Sequence, residues 1–160
     1  MARARATLAE ARDAIDDLRA DPAEALVFTE AVQAEIRQFT AATSLGCHTD
    51  LEMLGAVAHP LQEHVLRVIA EGLTNVARHA QAHHVLIRFI QEDEVQTIEI
   101  RDDGIGFDPG AEAARQGHYG LVGLREWAHL LGGHLEMTSA PGSGTTMRFL
   151  VPRPTERENI

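Results

Sequence analysis

Between residues 61 and 100 the apolar side chains change period, and the change restricts the chain to folds in which helices back a sheet. Leu66, Ile69, Leu73, Val76 and Ala80 recur every three or four residues, one face of a helix over about 61–80 entered at Pro60. Val85, Ile87 and Phe89, then Ile98 and Ile100, recur every second residue, and Glu92-Asp93-Glu94 between them reads as a hairpin turn. The same alternation predicts strands near 134–139 and 145–151 around the Pro141-Gly142-Ser143-Gly144 turn. A helix over about 119–131 stops at Gly132-Gly133. An edge strand is expected over 47–53. Residues 103–118 are Gly-rich and aperiodic, a loop too long for a plain connector.

Two helices are predicted upstream. Ala4, Leu8, Ala11, Ile15 and Leu18 step by four and three, an a/d seam that wants a partner helix. Asp21-Pro22 ends it and starts a second helix, whose Ala25, Phe28, Val32, Ile36 and Phe39 hold helical spacing to about Thr43, with Gly46 as the stop.

A length of 160 residues favours one domain with a core of its own, and no run of about 18 apolar residues is present to span a membrane. No apolar segment follows Arg3 and Arg5, so no secretory signal is read and the expected location is cytoplasmic. Cys47 is the sole cysteine, which excludes an internal disulfide and a Cys-rich zinc site. Fourteen basic against 24 acidic residues give a net charge of −10, which opposes binding to nucleic acid through its phosphates.

Three segments carry chemistry. On the wheel of the 61–80 helix Glu71, Asn75, Arg78 and His79 fall within about a quarter turn, opposite the apolar stripe. Asn is a mediocre helix former, so its mid-helix place four residues after a Glu points to a ligand. A carboxamide oxygen suits a hard cation such as Mg2+, Glu71 can orient or deprotonate a group nearby, and Arg78 and His79 suit phosphate oxygens. In Arg101-Asp102-Asp103-Gly104-Ile105-Gly106-Phe107, strand parity turns Asp102 inward with Ile98 and Ile100. There it either caps the turn of Gly104 and Gly106 or accepts a hydrogen bond from a ligand donor. Finally, Gly117-His118-Tyr119-Gly120-Leu121-Val122-Gly123-Leu124 runs into a helix whose first amides and dipole form an anion site, or else is a flexible loop. It is neither a Walker A loop nor a dinucleotide fingerprint.

Taken in order, Glu71-x-x-x-Asn75, Asp102-x-Gly104-x-Gly106, Gly120-Leu121-x-Gly123-Leu124 and Gly144-Thr145 resemble the ATP-binding (HATPase, Bergerat or GHKL) domain of sensor histidine kinases, Hsp90, gyrase B and MutL. More narrowly, EGLTNVARHAQA, IEIRDDGIGFD, GHYGLVGLRE and LLGGHLEMTSAPGSGTTMRFLVP look like the NarL/DesK-type bacterial histidine kinases, over about residues 45–152. The resemblance implies an α/β fold, a two-layer sandwich with a mixed sheet backed by helices. It implies three parts: a remnant of a dimerisation and phosphotransfer helix over 1–20, the ATP-binding domain over 21–152, and a polar tail over 153–160. Asn75 would hold Mg2+ on the phosphates, Glu71 would sit beside the reacting γ-phosphate, and Arg78 and His79 would contact phosphate oxygens. Asp102 would read the adenine amine, Gly104 and Gly106 would let backbone approach the base, and Thr145 would back it. Residues 107 to about 119 would form a lid, with Gly120, Leu121 and Gly123 against the phosphates.

The partners implied are ATP, the chain's own dimerisation hairpin within a homodimer of the full-length protein, and a response regulator. No contact with nucleic acid is implied, and none with membrane by this piece. The subgroup usually has Gln-Glu-Ala where this chain has Ala70-Glu71-Gly72, and Arg where it has Trp127. The hairpin's acceptor histidine, followed by an acid, is absent: none of the nine histidines precedes an acidic residue. The alternatives are a serine kinase of the anti-sigma-factor type, which the 4–18 seam and the GLVGLRE segment disfavour, and a nucleotide-dependent interaction module without catalysis.

Overall fold

A computed structural model of the chain describes residues 22–108 and 119–153. The seam at 4–18, most of the expected lid and the tail from 154 lie outside the described residues.

Helix α1 (Pro22–Thr43) leads to strand β1 (Gly46–Asp50), a 3-10 turn (Leu54–Ala56) and helix α2 (His59–Asn75), which continues as one π-helical turn, Val76–Ala80. Strands β2 (His84–Glu92) and β3 (Val95–Asp102) come next, then helix α3 (Tyr119–Leu130) and strands β4 (His134–Ser139) and β5 (Thr145–Pro152). Of the α1 positions Ala25, Phe28, Val32, Ile36 and Phe39, the last four are buried, as their spacing requires, and Ala25 is half-buried. Gly46 is not the stop of α1. Ser44 turns the chain instead with φ 57°, and Gly46 opens β1, its N–H donating to His83 O at 2.9 Å. A side chain at 46 would collide with the His84 ring, so glycine serves the strand contact.

The sheet order is β1-β2-β3-β5-β4, with β1 parallel to β2 and every other pair antiparallel. Asp93, at φ 48°, forms with Glu94 the two-residue turn of the β2–β3 hairpin. Register stacks the core face in rows: Phe89, Ile98, Phe149 and Leu135; Ile87, Ile100, Met147 and Met137; then Val85, Asp102, Thr145 and Ser139. Val65, Val68, Ile69 and Leu73 of α2, with Leu124 and Ala128 of α3, join these strand residues in one buried cluster. Removing such side chains from water is the main stabilising term, about 1.5–3 kcal/mol for each large one. The opposite face carries a cross-strand file of alternating charge: Asp50, Arg88, Glu99, Arg148 and Glu136 stand in register across all five strands. Glu99 accepts from Arg148 Nε at 2.7 Å and lies 3.6 Å from Arg88 Nη1. Among the described residues no helix is long and apolar enough to cross a membrane.

Candidate nucleotide site

Where α2 gives way to its π turn, the helix, the end of β3 and the β4–β5 end of the sheet enclose a cavity of about 370 Å3. Its walls are mostly apolar: Val76 and Ala80 on the helical side, Ile100, Met137 and Met147 on the sheet, Ile105 and Phe107 at the loop. Gly72 belongs to the same wall, and a Cβ there would run into the Ile100 and Met147 side chains. An apolar slot with a few fixed polar groups is what a planar organic ligand requires.

The polar groups come from the expected residues. Asn75, His79, Asp102, Gly106 and Thr145 all line the cavity. Asp102 is 7% exposed, and its Oδ1 accepts from Gly104 N at 2.9 Å and Thr145 N at 3.3 Å. Burial pushes its carboxyl above the ordinary value, the two N–H donors pull it back, and neighbouring Asp103 adds a smaller push upward. Both uses open to an inward Asp102 are therefore compatible: Oδ1 caps the turn, while Oδ2 has no hydrogen-bond partner among the described residues. Asp103 has the opposite surroundings. It is exposed, and its carboxyl is held far below the usual range by His84 N, the His84 ring at 2.8 Å and His83 N.

The loop after Asp102 is clamped from both sides. Ile105 N donates to Ala80 O at 2.7 Å, Gly142 N donates to Ile105 O at 2.6 Å, and Phe107 N donates to Ser139 Oγ at 2.9 Å. Gly104 lies so close to the end of the π turn that a Cβ would strike the Ala80 carbonyl. Gly106 has φ +59° and presses on the Ala140 and Gly144 carbonyls, so both glycines are required for close backbone approach, one also for its conformation.

Glu71, Arg78, Gly104 and Gly123 are not among the residues lining the cavity. Glu71 is half-buried one turn before Asn75, and Arg78 is exposed on the π turn. The wheel at 100° per residue holds only to Asn75. Val76 and Ala80, on the π turn, still belong to the buried core as their spacing predicts, and both also line the cavity. Gly120 and Leu121 stand in the first turn of α3, and Gly123 is half-buried one turn on, with open space where a Cβ would be. Sequence reasoning missed the apolar lining. Parity did contain part of it, since Ile100 shares a face with Asp102 and Met147 with Thr145.

The donor set fits a magnesium nucleotide. A carboxamide on the wall suits a cation held chiefly by phosphate oxygens, since Mg2+ takes few protein ligands, and among the described residues no group of three or more His, Cys, Asp or Glu could cage a metal by itself.

Comparison with known proteins agrees with this geometry. Residues 61–155 match the family described as histidine kinase-, DNA gyrase B-, and HSP90-like ATPase. The signal transduction histidine-protein kinase/phosphatase DegS of Brevibacillus brevis is 31% identical over 156 residues, covering 95% of this chain and 39% of that protein. The nitrate/nitrite sensor protein NarQ of Escherichia coli is 36% identical over 109 residues, 68% of this chain and 18% of that one. The chain thus spans about two fifths or less of these relatives. The histidine kinase domain of the Erythrobacter litoralis EL346 blue-light activated kinase superposes with a TM-score of 0.59 at 18% identity, over 81% of this chain and 60% of that one. Mycobacterial sensor histidine kinase MprB gives 0.56 at 20% identity, over 79% and 95%. With the cavity-lining Asn75 and Asp102 inside the matched span and the same sheet-and-helix layers in the solved kinases, the chain belongs to the histidine kinase-, DNA gyrase B- and HSP90-like ATPase family.

Proposed function

We propose that this chain is the ATP-binding catalytic domain of a NarL/DesK-type two-component sensor histidine kinase, acting on a histidine carried by a dimerisation hairpin. The single observation that carries the reading is Asp102: a buried carboxylate lining a largely apolar slot, with one oxygen spent on the turn and the other without a hydrogen-bond partner among the described residues. Such a group is costly unless a ligand donor meets it, and the exocyclic amine of adenine is such a donor. Bound MgATP supplies the phosphoryl group to be transferred.

The residues divide the remaining work. Asn75 contributes a metal ligand, Arg78 and His79 neutralise phosphate oxygens, and the first amides of α3 at Gly120 and Leu121 meet the phosphate tail, with Gly123 lying against it. Glu71, one turn before Asn75, sits beside the reacting group to orient it or to take a proton. Gly104 and Gly106 admit backbone to the base, and Thr145 supports it. Phosphoryl transfer depends mainly on positioning and charge neutralisation, which this set supplies. In the full-length protein residues 1–20 continue a dimerisation hairpin of a homodimer, 21–152 form the catalytic domain, 153–160 the tail, and a cytoplasmic response regulator receives the phosphoryl group.

Calorimetric titration of ATP with and without Mg2+ tests the site. Asp102→Asn should lose affinity regardless of metal, and Asn75→Ala only the Mg2+-dependent part. Adding a hairpin protein that carries the acceptor histidine then tests transfer: phosphohistidine on the hairpin supports the kinase, whereas nucleotide-dependent binding without transfer supports an interaction module. A folded parent that binds no nucleotide refutes the reading.

A further inference from the structure

Ser139 ends β4 in the same cross-strand row as Thr145 and Asp102. Two other segments meet at its hydroxyl, the loop after β3 and the entry to β5: it accepts from Phe107 N at 2.9 Å, donates to Gly144 O at 2.9 Å, and lies 3.1 Å from Thr145 Oγ1. A hydroxyl owns one proton, and a carbonyl can only accept. The Ser139 proton is therefore committed to Gly144 O, and the bond between the two hydroxyls must be made by the Thr145 proton. Thr145 reaches the cavity wall with its proton turned away and its lone pairs left over. Beside it the Asp102 carboxylate also offers only lone pairs.

We propose that Ser139 is a positioning residue that sets the hydrogen-bond polarity of the Asp102–Thr145 end of the cavity wall: acting through Thr145 it makes that end acceptor-only, so a base bearing an exocyclic amine is taken there and one bearing a carbonyl is rejected. The proposal rests on the nucleotide reading above and deepens it. Recognition of the base then depends on a residue that is not itself among those lining the cavity, because the choice is made by the direction of one shared proton.

The test uses the full chain with the magnesium complexes of ATP and inosine triphosphate, whose base has a carbonyl where adenine has its amine. Ser139→Ala frees the Thr145 proton to turn into the cavity, so the preference for ATP over inosine triphosphate should fall about fivefold, the worth of one net hydrogen bond. Ser139→Thr keeps the hydroxyl and should retain the parent preference. In a Thr145→Val background, adding Ser139→Ala should change the preference no further. Should Ser139→Ala not fold, Ser139→Cys, close in size and a poor acceptor, reads the same ratio in the same direction. Equal weakening of both nucleotides by Ser139→Ala, or an effect undiminished by Thr145→Val, overturns the proposal while leaving the nucleotide site standing. A parent that binds neither nucleotide overturns both.

Discussion

Gly104→Ala tests how firmly the loop after β3 is wedged. The residue does not have positive φ, so the substitution is opposed by space alone, and the atoms in the way belong to the Ala80 carbonyl and Cβ. Backbone cannot yield as a side-chain tip does, so the loop must move. Moving it weakens the Ile105 N to Ala80 O bond at 2.7 Å, about 1 kcal/mol, and strains the Gly104 N to Asp102 bond at 2.9 Å, a charge-assisted contact of about 1.5–3 kcal/mol. Against this, alanine restricts the unfolded chain and returns about 0.4–1 kcal/mol. The net expectation is a loss of about 2–3 kcal/mol in urea unfolding and about 4–12 °C in Tm, together with weaker nucleotide binding. Gly55→Ala is the control: it has open space and no positive φ, so stability should hold or rise by less than about 1 kcal/mol. If Gly104→Ala unfolds within about 0.5 kcal/mol of the parent, the wedge does not exist and the reasoning fails.

Three further outcomes are expected. Asp102→Asn retains an oxygen for Gly104 N and Thr145 N while removing a charge whose folded pKa is raised. Such a carboxylate favours folding only as pH falls, so the variant should be at least as stable as the parent at neutral pH while binding ATP more weakly, as chemical unfolding beside calorimetry will show. The Asp103 carboxyl is held low, so its contribution is present above the unfolded carboxylate value near 3.9 and is lost as pH falls below it; Asp103→Ala should flatten the acid limb of a stability–pH profile measured by urea midpoints. Glu99→Ala strands two arginines that are 42% and 46% exposed and can recruit water, so the cost should be about 1–2 kcal/mol and shrink with salt, with ATP affinity unchanged because Glu99 faces away from the cavity.

Much of this was legible in the sequence because single elements dictate it. Parity along β3 turned Asp102 inward, and the spacing in α1 named its four buried residues. What escaped depends on contacts between distant segments. The π turn at 76–80 ends at Gln81, φ 50°, where Ala80 O must meet Ile105 N from a loop some 25 residues later, and no local propensity encodes that. The stop at Ser44 rather than Gly46 results from pairing with β2, equally invisible at short range. The apolar lining was present as alternation but could not be assigned to a cavity before Met137 and Met147 were known to be partners.

The pairing of β3 with β5 has an evolutionary corollary. Asp102 and Thr145 meet across 43 residues of chain, while both flanking hairpins close locally. Closure entropy grows only with the logarithm of that span, so ten extra residues within it add about 0.2 kcal/mol. Outside α3, whose Leu124 and Ala128 are buried against the sheet, the segment connecting the two hairpins can therefore lengthen or shorten almost without penalty to the sheet. A domain built this way can vary the length of that connection without having to rebuild the cavity wall at Asp102 and Thr145.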